Sequence, residues 1–424
     1  MQSICNSYLS KLCIPRNKNE NLRLRKENLF PFPLPNHFFA LSLQKNSHNM
    51  KNVKISNLGF LRYANVNIGD LTIITGTQAS GKSVFLQMFK LMMDRSHILN
   101  TLEKYSYELK RTEDILNYYL GDGMASLLSS DTTMICDDSM FSFDHTFVNY
   151  DDSLREQVLY IPAQRILCIS DGRPKNFNEF DINSPYVLRR FSDEIRVFFQ
   201  RQQKNDMLFP INHKLKETIN DSFDLNIFHG GKVKIDERMG QKVMRLQVDG
   251  ASIPFMTWSA GQKEFMPLLM AFYCIGDNKM EEGKTYEYVI LEEPEMGLHP
   301  KAIVSVILQV IELISRGYKV IVSTHSPVLL EFAWALQALR GSSNIYEALA
   351  KLLDIDEKEN SEMIESLTGK KIFTYYFSRQ PDGIYSEDIS SLDAFCENIN
   401  ESDWGGISSF SSRASDIVSS YIDY

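Results

Sequence analysis

The stretch that most constrains this chain is Gly76-Thr77-Gln78-Ala79-Ser80-Gly81-Lys82-Ser83. An apolar run, Leu71-Thr72-Ile73-Ile74-Thr75, precedes it. Val84, Leu86, Met88, Phe89, Leu91 and Met92 follow with helical spacing. G-x-x-x-x-G-K-[ST] between a buried strand and a helix is the P-loop pattern. Its glycines let successive main-chain N–H groups face one anion, and the helix adds its positive N-terminal end. Residues 76–83 are therefore expected to cradle a nucleoside triphosphate, with Lys82 on the β- and γ-phosphates and Ser83 on Mg²⁺.

Three further stretches belong with it. Tyr288-Val289-Ile290-Leu291 reads as a buried strand that delivers Glu292 and Glu293 at its carboxyl end, where open α/β sheets bind ligands. Glu292 is expected to hold the Mg²⁺ shell through water, and Glu293 to orient and deprotonate an attacking water. Ile303, Val306, Ile307, Val310, Ile311 and Ile314 then repeat as a helix that stops at Gly317, before a strand at 319–324. Strand, helix and strand at this spacing predict a βαβ unit in a parallel sheet. His325 follows that strand, in reach of a γ-phosphate. Upstream, Trp258-Ser259-Ala260-Gly261-Gln262-Lys263-Glu264 opens a helix with Ser259 as its N-cap.

The order of P-loop, S-x-G-Q, acidic strand and histidine resembles the ABC-type ATPases. Glu293-Pro294-Glu295-Met296-Gly297-Leu298-His299-Pro300 is similar to the E-P-E-x-x-L-H-P of the AAA-type, OLD-like and SMC-related members. Tyr160-Ile161-Pro162-Ala163-Gln164-Arg165 resembles their Y-I-P-A-E-R. The resemblance implies an α/β P-loop NTPase of the ABC ATPase head type, a mixed sheet core with helical and strand insertions. It implies that Gly76, Thr77, Gln78, Ala79, Ser80, Gly81, Lys82 and Ser83 bind ATP, with Ser83 and Glu292 on Mg²⁺. Glu293 is then the catalytic carboxylate and His325 the switch. Ser259, Gly261 and Gln262 would grip the γ-phosphate of ATP held by a second subunit, residues 297–299 would lie at the dimer seam, and Gln164 would be the Q-loop glutamine. Ala260 stands where the family has glycine, Glu292 where aspartate is commoner, and Gln164 where glutamate is commoner.

The expected organisation is a disordered N-terminal extension at 1–49, a head at 50–335 carrying insertions at 84–258, and a C-terminal part of the head and tail at 336–424. The extension holds seven Lys/Arg against two Glu and a Pro31-Phe32-Pro33-Leu34-Pro35 run. A basic partner-binding arm is the alternative reading of it. Helical stretches are expected near 100–120 and 185–205, a strand at 158–161, a strand pair over 232–255 turning near Gly240, and another strand at 371–377. Tyr118, Tyr119, Phe143, Phe191, Phe198 and Phe199 are candidate partner anchors, with core packing as the competing reading.

The net charge of -9 argues against a chain-wide basic surface for nucleic acid, though it leaves room for a local patch. Six cysteines without a CxxC fit a reduced, cytoplasmic protein rather than a disulfide framework or zinc site. No apolar run spans a membrane. No Asp-x-Asp follows a buried strand beyond His325, so a fused Toprim nuclease is not expected. The expected function is an ATP-hydrolysing switch whose ATP-dependent homodimer, or higher homo-oligomer, gates a separate protein effector, in antiviral defence or a toxin-type system. The alternatives are a DNA-repair or DNA-end-sensing ATPase, and an ATP-binding scaffold with negligible turnover.

Overall fold

The computed structural model describes residues 51–143, 155–181, 183–211, 213–276 and 286–393, together with 396–402, 404–407, 413–414 and 417–420. The extension expected at 1–49 lies outside the described residues. The main sheet comprises β1 (Lys51–Leu58), β2 (Leu61–Ile68), β3 (Leu71–Gly76), β4 (Thr133–Cys136), β5 (Ser139–Met140) and β6 (Val158–Ile161). A two-stranded pair, β7 (Ile169–Ser170) and β8 (Arg173–Pro174), and a small antiparallel sheet, β9 (Met207–Phe209), β10 (Lys232–Arg238), β11 (Gln241–Val248) and β12 (Ala251–Pro254), come next in the chain. β13 (Tyr288–Glu292), β14 (Lys319–Ser323), β15 (Ile372–Gln380) and β16 (Gly383–Asp388) complete the main sheet, in the order β5-β4-β1-β2-β16-β15-β3-β14-β13-β6.

The strands β6, β13, β14, β3 and β15 run parallel to one another, whereas β1–β2, β1–β4, β4–β5 and β15–β16 are antiparallel. Strands buried on both faces read as continuous apolar runs, and β3, β6 and β13 are buried at every position. Alternation divides their side chains between two cores. Ile73, Leu159, Ile161, Val289, Leu291, Val320 and Val322 enter one, with helices α5 (Ala260–Gly276) and α6 (Pro300–Ser315). Ile74, Val158, Tyr160, Ile290 and Ile321 enter the other, with Phe85, Met88 and Phe89 of α1 (Lys82–Lys104).

The expected strands at 71–75, 158–161, 288–291 and 319–324 are present within a residue of their limits, the one expected at 371–377 runs three residues further to Gln380, and β13 and β14 do pair in parallel. The helix at 185–205 is α3 (Tyr186–Arg201). The single helical stretch expected over 100–120 is two pieces. α1 ends at Lys104 and α2 spans Thr112–Leu120. Between them Tyr105 stacks on Phe177, ring centroids 4.2 Å apart, and helical continuation gives way to that packing. The strand pair over 232–255 is a three-stranded meander, with Gly240 at its first turn as expected. Of the candidate partner anchors, Tyr119, Phe191, Phe198 and Phe199 are core residues, at most 4% exposed. Tyr118 and Phe143 are half-buried, Tyr118 edge-on to Tyr107 and Phe143 edge-on to Phe141. Large aromatic side chains recover more free energy from full burial than from a water-facing edge.

A buried ionic network ties α1 to the sheet. Lys90 Nζ donates to Asp94 Oδ2 (2.9 Å), Glu156 Oε1 (2.8 Å) and the Val158 carbonyl (2.7 Å). Asp94, where α1 departs from helical geometry, accepts from the N–H groups of Gln157 and Val158. Arg190 of α3 reaches Glu156 at 2.6 Å. Burial opposes the Glu156 charge, but Arg190, Lys90 and His97 outweigh it and hold the carboxyl well below the usual range. Its contribution to stability is therefore complete above the unfolded value near 4.3 and drains away as pH falls below it. Lys90→Met leaves two buried carboxylates short of a cation. It is expected to lower the unfolding free energy by about 3–5 kcal/mol, read by urea denaturation at neutral pH. A loss smaller than about 1 kcal/mol would mean that the network is not closed as described.

Candidate functional site

In-register parallel pairing brings three strand ends to one place. Ser323 lies beside Ile74 on one side and Glu292 on the other, so the P-loop, the acidic pair and His325 emerge together. Residues 76–83 wrap from β3 into α1. Gly76 cannot be replaced without disturbance, because a Cβ there would sit 2.7 Å from the Phe377 carbonyl and 2.8 Å from Ser80 Oγ. Lys82 Nζ donates to the carbonyls of Gly76 and Thr77, both at 2.9 Å, and to Ser80 Oγ at 3.3 Å. Burial lowers its pKa, and Glu293, Glu292 and Glu295 work against that shift.

A cleft of about 300 Å³ opens over the loop. Residues 78–84, Glu293 and His325 line it together with Phe60, Leu61, Leu127 and Ile384. Its size and one-sided polarity suit a nucleotide, with phosphates at the loop and an apolar wall beyond. The Ser83 hydroxyl and the Glu292 carboxylate face each other. Burial raises the Glu292 pKa against the nearby Ser83 and Tyr160 hydroxyls and a hydrogen bond from the Ala163 N–H at 3.2 Å. A hydroxyl beside a carboxylate at a triphosphate loop is a donor set that fits Mg²⁺, which keeps waters and phosphate oxygens as its other ligands.

Glu293 lies in the left-handed region, at φ 44°. Its N–H donates to the Ser323 carbonyl at 2.9 Å and its Oε1 lies 3.5 Å from His325 Nε2. The hydrogen bond with His325 is the largest influence on it. Together with Lys82 and Arg165, His325 outweighs burial and holds the carboxyl below the usual range.

Glu295 fixes His325 in turn. Its Oε1 accepts from the Thr324 hydroxyl and from the His325 N–H, both at 2.7 Å. Arg165 is fully buried and donates to the carbonyls of Glu264, Glu292, Glu293 and Pro294. Neither was among the candidate site residues read from the sequence. Both stand inside stretches quoted for the resemblance, so their positions were visible but their partners were not. Gln164, the candidate beside Arg165, is exposed and does not line the cleft.

Ser259, Gly261 and Gln262 do not line it either. Ser259 and Gln262 form a reciprocal capping box at the start of α5, each side chain meeting the other's N–H at 3.2 Å. Gln262 Nε2 is further held by the Ile227 carbonyl. Gly261 packs on Gly297, where a Cβ would come within 2.8 Å of the Gly297 carbonyl. Ser259 and Ala260 remain exposed at the N-terminus of α5.

Fold and site together define a P-loop nucleotide-binding protein of the ABC ATPase head type. Residues 121–331 match the family described as "AAA domain, putative AbiEii toxin, Type IV TA system", a stretch that holds α5, the acidic pair and His325 but begins beyond the P-loop. Over 142 residues the chain is 32% identical to the Old nuclease of Escherichia phage P2. That covers 33% of this chain and 22% of the nuclease, so the match spans about a fifth of that relative. Among solved structures, an Smc head bound to the C-terminal winged-helix domain of ScpA is similar with a TM-score of 0.39 and 11% identity, over 80% of this chain and 97% of that one. The SMC head domain of Thermotoga maritima gives 0.34 and 10%, over 80% and 99%. An ABC transporter's ATP-binding cassette in its ADP conformation gives 0.29 and 12%, over 67% and 85%. Over residues 121–331, about half of its length, the chain is thus similar to that AAA-domain family, and over a shorter stretch to the Old nuclease.

Followed by carbon-detected NMR, Glu293 is expected to take up its proton below the usual glutamate value of about 4.3. Removing the imidazole in His325→Ala is expected to move that titration up. A Glu293 titration that ignores this substitution would show that His325 is not what holds the carboxylate charged.

Proposed function

We propose that this chain is an ATP-hydrolysing switch in which two copies close around ATP, and that this closure gates a separate protein effector. The observation that carries the reading is the division of the machinery. Glu293 and His325 open onto the cleft with Lys82 and Ser83, while the α5 N-terminus, exposed at Ser259 and Ala260, lies outside it. A helix N-terminus of this kind suits a γ-phosphate, and a second copy can bring it to one.

In this reading residues 76–83 hold the triphosphate and Lys82 neutralises the β- and γ-oxygens. Ser83 and Glu292 would hold Mg²⁺, which supplies charge neutralisation at the β- and γ-phosphates. Glu293 accepts a proton from the attacking water, and His325, steadied by Glu295, orients both. The left-handed Glu293 backbone aims the carboxylate back toward the cleft. The head at 50–335, with its insertions at 84–258, would carry this cycle. The match to a family described by a toxin name supports the gated-effector reading, in a toxin-type or defence system acting in the cytoplasm. Among the described residues no helix is long and apolar enough to cross a membrane. The partial identity with the Old nuclease favours one alternative, an ATPase that senses DNA, and stimulation of turnover by DNA separates the two. Measurable turnover of the purified chain separates both from an ATP-binding scaffold.

Charge-assisted contacts are worth about 1.5–3 kcal/mol each, so Lys82→Ala is expected to weaken Mg-ATP binding at least about tenfold in calorimetry. Glu293→Gln keeps a hydrogen bond to the water but cannot take its proton. It is expected to retain ATP, lose about 10²-fold or more in turnover, and accumulate as an ATP-bound dimer in light scattering. Full turnover in Glu293→Gln would remove this residue from the mechanism. Lys82→Ala and Ser259→Arg subunits, mixed, are expected to rebuild one site per heterodimer. Full activity of Ser259→Arg alone would refute the shared site.

A further inference from the structure

Arg165 presents an unusual balance of charge and partners. Its guanidinium is fully buried, yet the partners it reaches are main-chain carbonyls rather than the carboxylates nearby. Nε donates to Glu264 at 3.0 Å, in the first turns of α5. One terminal nitrogen donates to Glu292 and Glu293, both at 3.2 Å, and the other to Pro294 at 3.3 Å. A planar fork with five N–H donors can join segments this way. An ammonium, with three donors on one atom, cannot span them.

Two other features point the same way. Glu293 is a non-glycine residue held at φ 44°, a conformation that persists where its surroundings impose it. Its N–H is anchored to Ser323 and its carbonyl to Arg165, so the residue is clamped on both sides. Independently, α5 touches the loop after Glu293 a second time, where Gly261 lies against Gly297 with no room for a Cβ. The helix that begins with Ser259 and the loop that carries Glu293 are thus joined at two points.

We propose that Arg165 is a positioning residue that locks Glu293 to the α5 helix of the same chain and so couples the two ATP sites of a dimer. The coupling rests on the sandwich described above. There the α5 N-terminus of one chain meets the phosphate held by its partner, while Glu293 serves its own P-loop. Contact of α5 with the partner's nucleotide is transmitted through Arg165 to the carboxylate that acts on the chain's own nucleotide. Each site then fires when the other is filled.

The test uses the full chain with Arg165→Lys and Arg165→Met. It measures Mg-ATP affinity by calorimetry and steady-state turnover against ATP concentration. Expected are an affinity within about threefold of the parent and a kcat lower by at least about tenfold. The Hill coefficient is expected to fall from above one in the parent to about one in Arg165→Lys. Parental kcat and Hill coefficient in a folded Arg165→Lys would overturn the proposal, as would equal losses of affinity and kcat. If both variants fail to fold, hydrogen exchange on the parent decides. Peptides covering 262–268 and 290–297 are expected to gain protection together on adding a slowly hydrolysed ATP analogue, and independent protection would overturn the coupling. A parent that forms no ATP-dependent dimer and shows no cooperativity sinks the sandwich. Positioning of Glu293 is then still read from the split between kcat and affinity.

Discussion

Register between parallel strands governs everything chemical in this molecule. β14 stands between β3 and β13, and its hydrogen bonds place Ile74, Ser323 and Glu292 in one row. A shift of a single residue would turn each strand's side chains to the opposite core. It would also carry Glu292 and Glu293 away from Lys82 and Ser83. The two cores fix that register from both faces, because Ile73, Val322 and Leu291 belong to one and Ile74, Ile321 and Ile290 to the other. The site is therefore a product of burial some distance from it.

Charge is handled differently in the two buried clusters. Lys90, Asp94, Glu156 and Arg190, with His97 and Glu194 beside them, form a set in which opposite charges meet directly, and it pins α1 and α3 to the edge of the sheet. Around the cleft the charges are left partly uncompensated. Lys82 is turned toward carbonyls, Glu292 is buried with its pKa raised, and Glu293 is held charged by His325. Satisfied networks make structure rigid, whereas shifted groups in a cleft are available for chemistry. The site also holds a glutamate, Glu293, in the left-handed region.

Local pattern alone made the site largely legible. The P-loop, the acidic strand end, the helix cap at Ser259 and the position of His325 each carry a motif whose meaning is set by neighbours in sequence. The central strands were legible for the same reason, since burial on both faces leaves an unbroken apolar run. The tyrosine segment between α1 and α2, the third strand of the meander, and the burial of Tyr119, Phe191, Phe198 and Phe199 were not. Each depends on partners far away in the chain.

Arg165 and Glu295 mark the same boundary inside the site. An arginine after Gln164 and a glutamate after Pro294 carry no local sign of their duties. Arg165 reaches carbonyls about 100 and 130 positions onward, and Glu295 meets Thr324 and His325 across a parallel crossover. The amino-acid sequence determined which groups could bind phosphate, ligate a metal or accept a proton, because those properties belong to residue types and to spacing along one element. Tertiary structure decided which of them meet, which backbone is held in a strained conformation, and that the α5 N-terminus lies outside the cleft. Those outcomes depend on long-range packing and register, which no local pattern encodes.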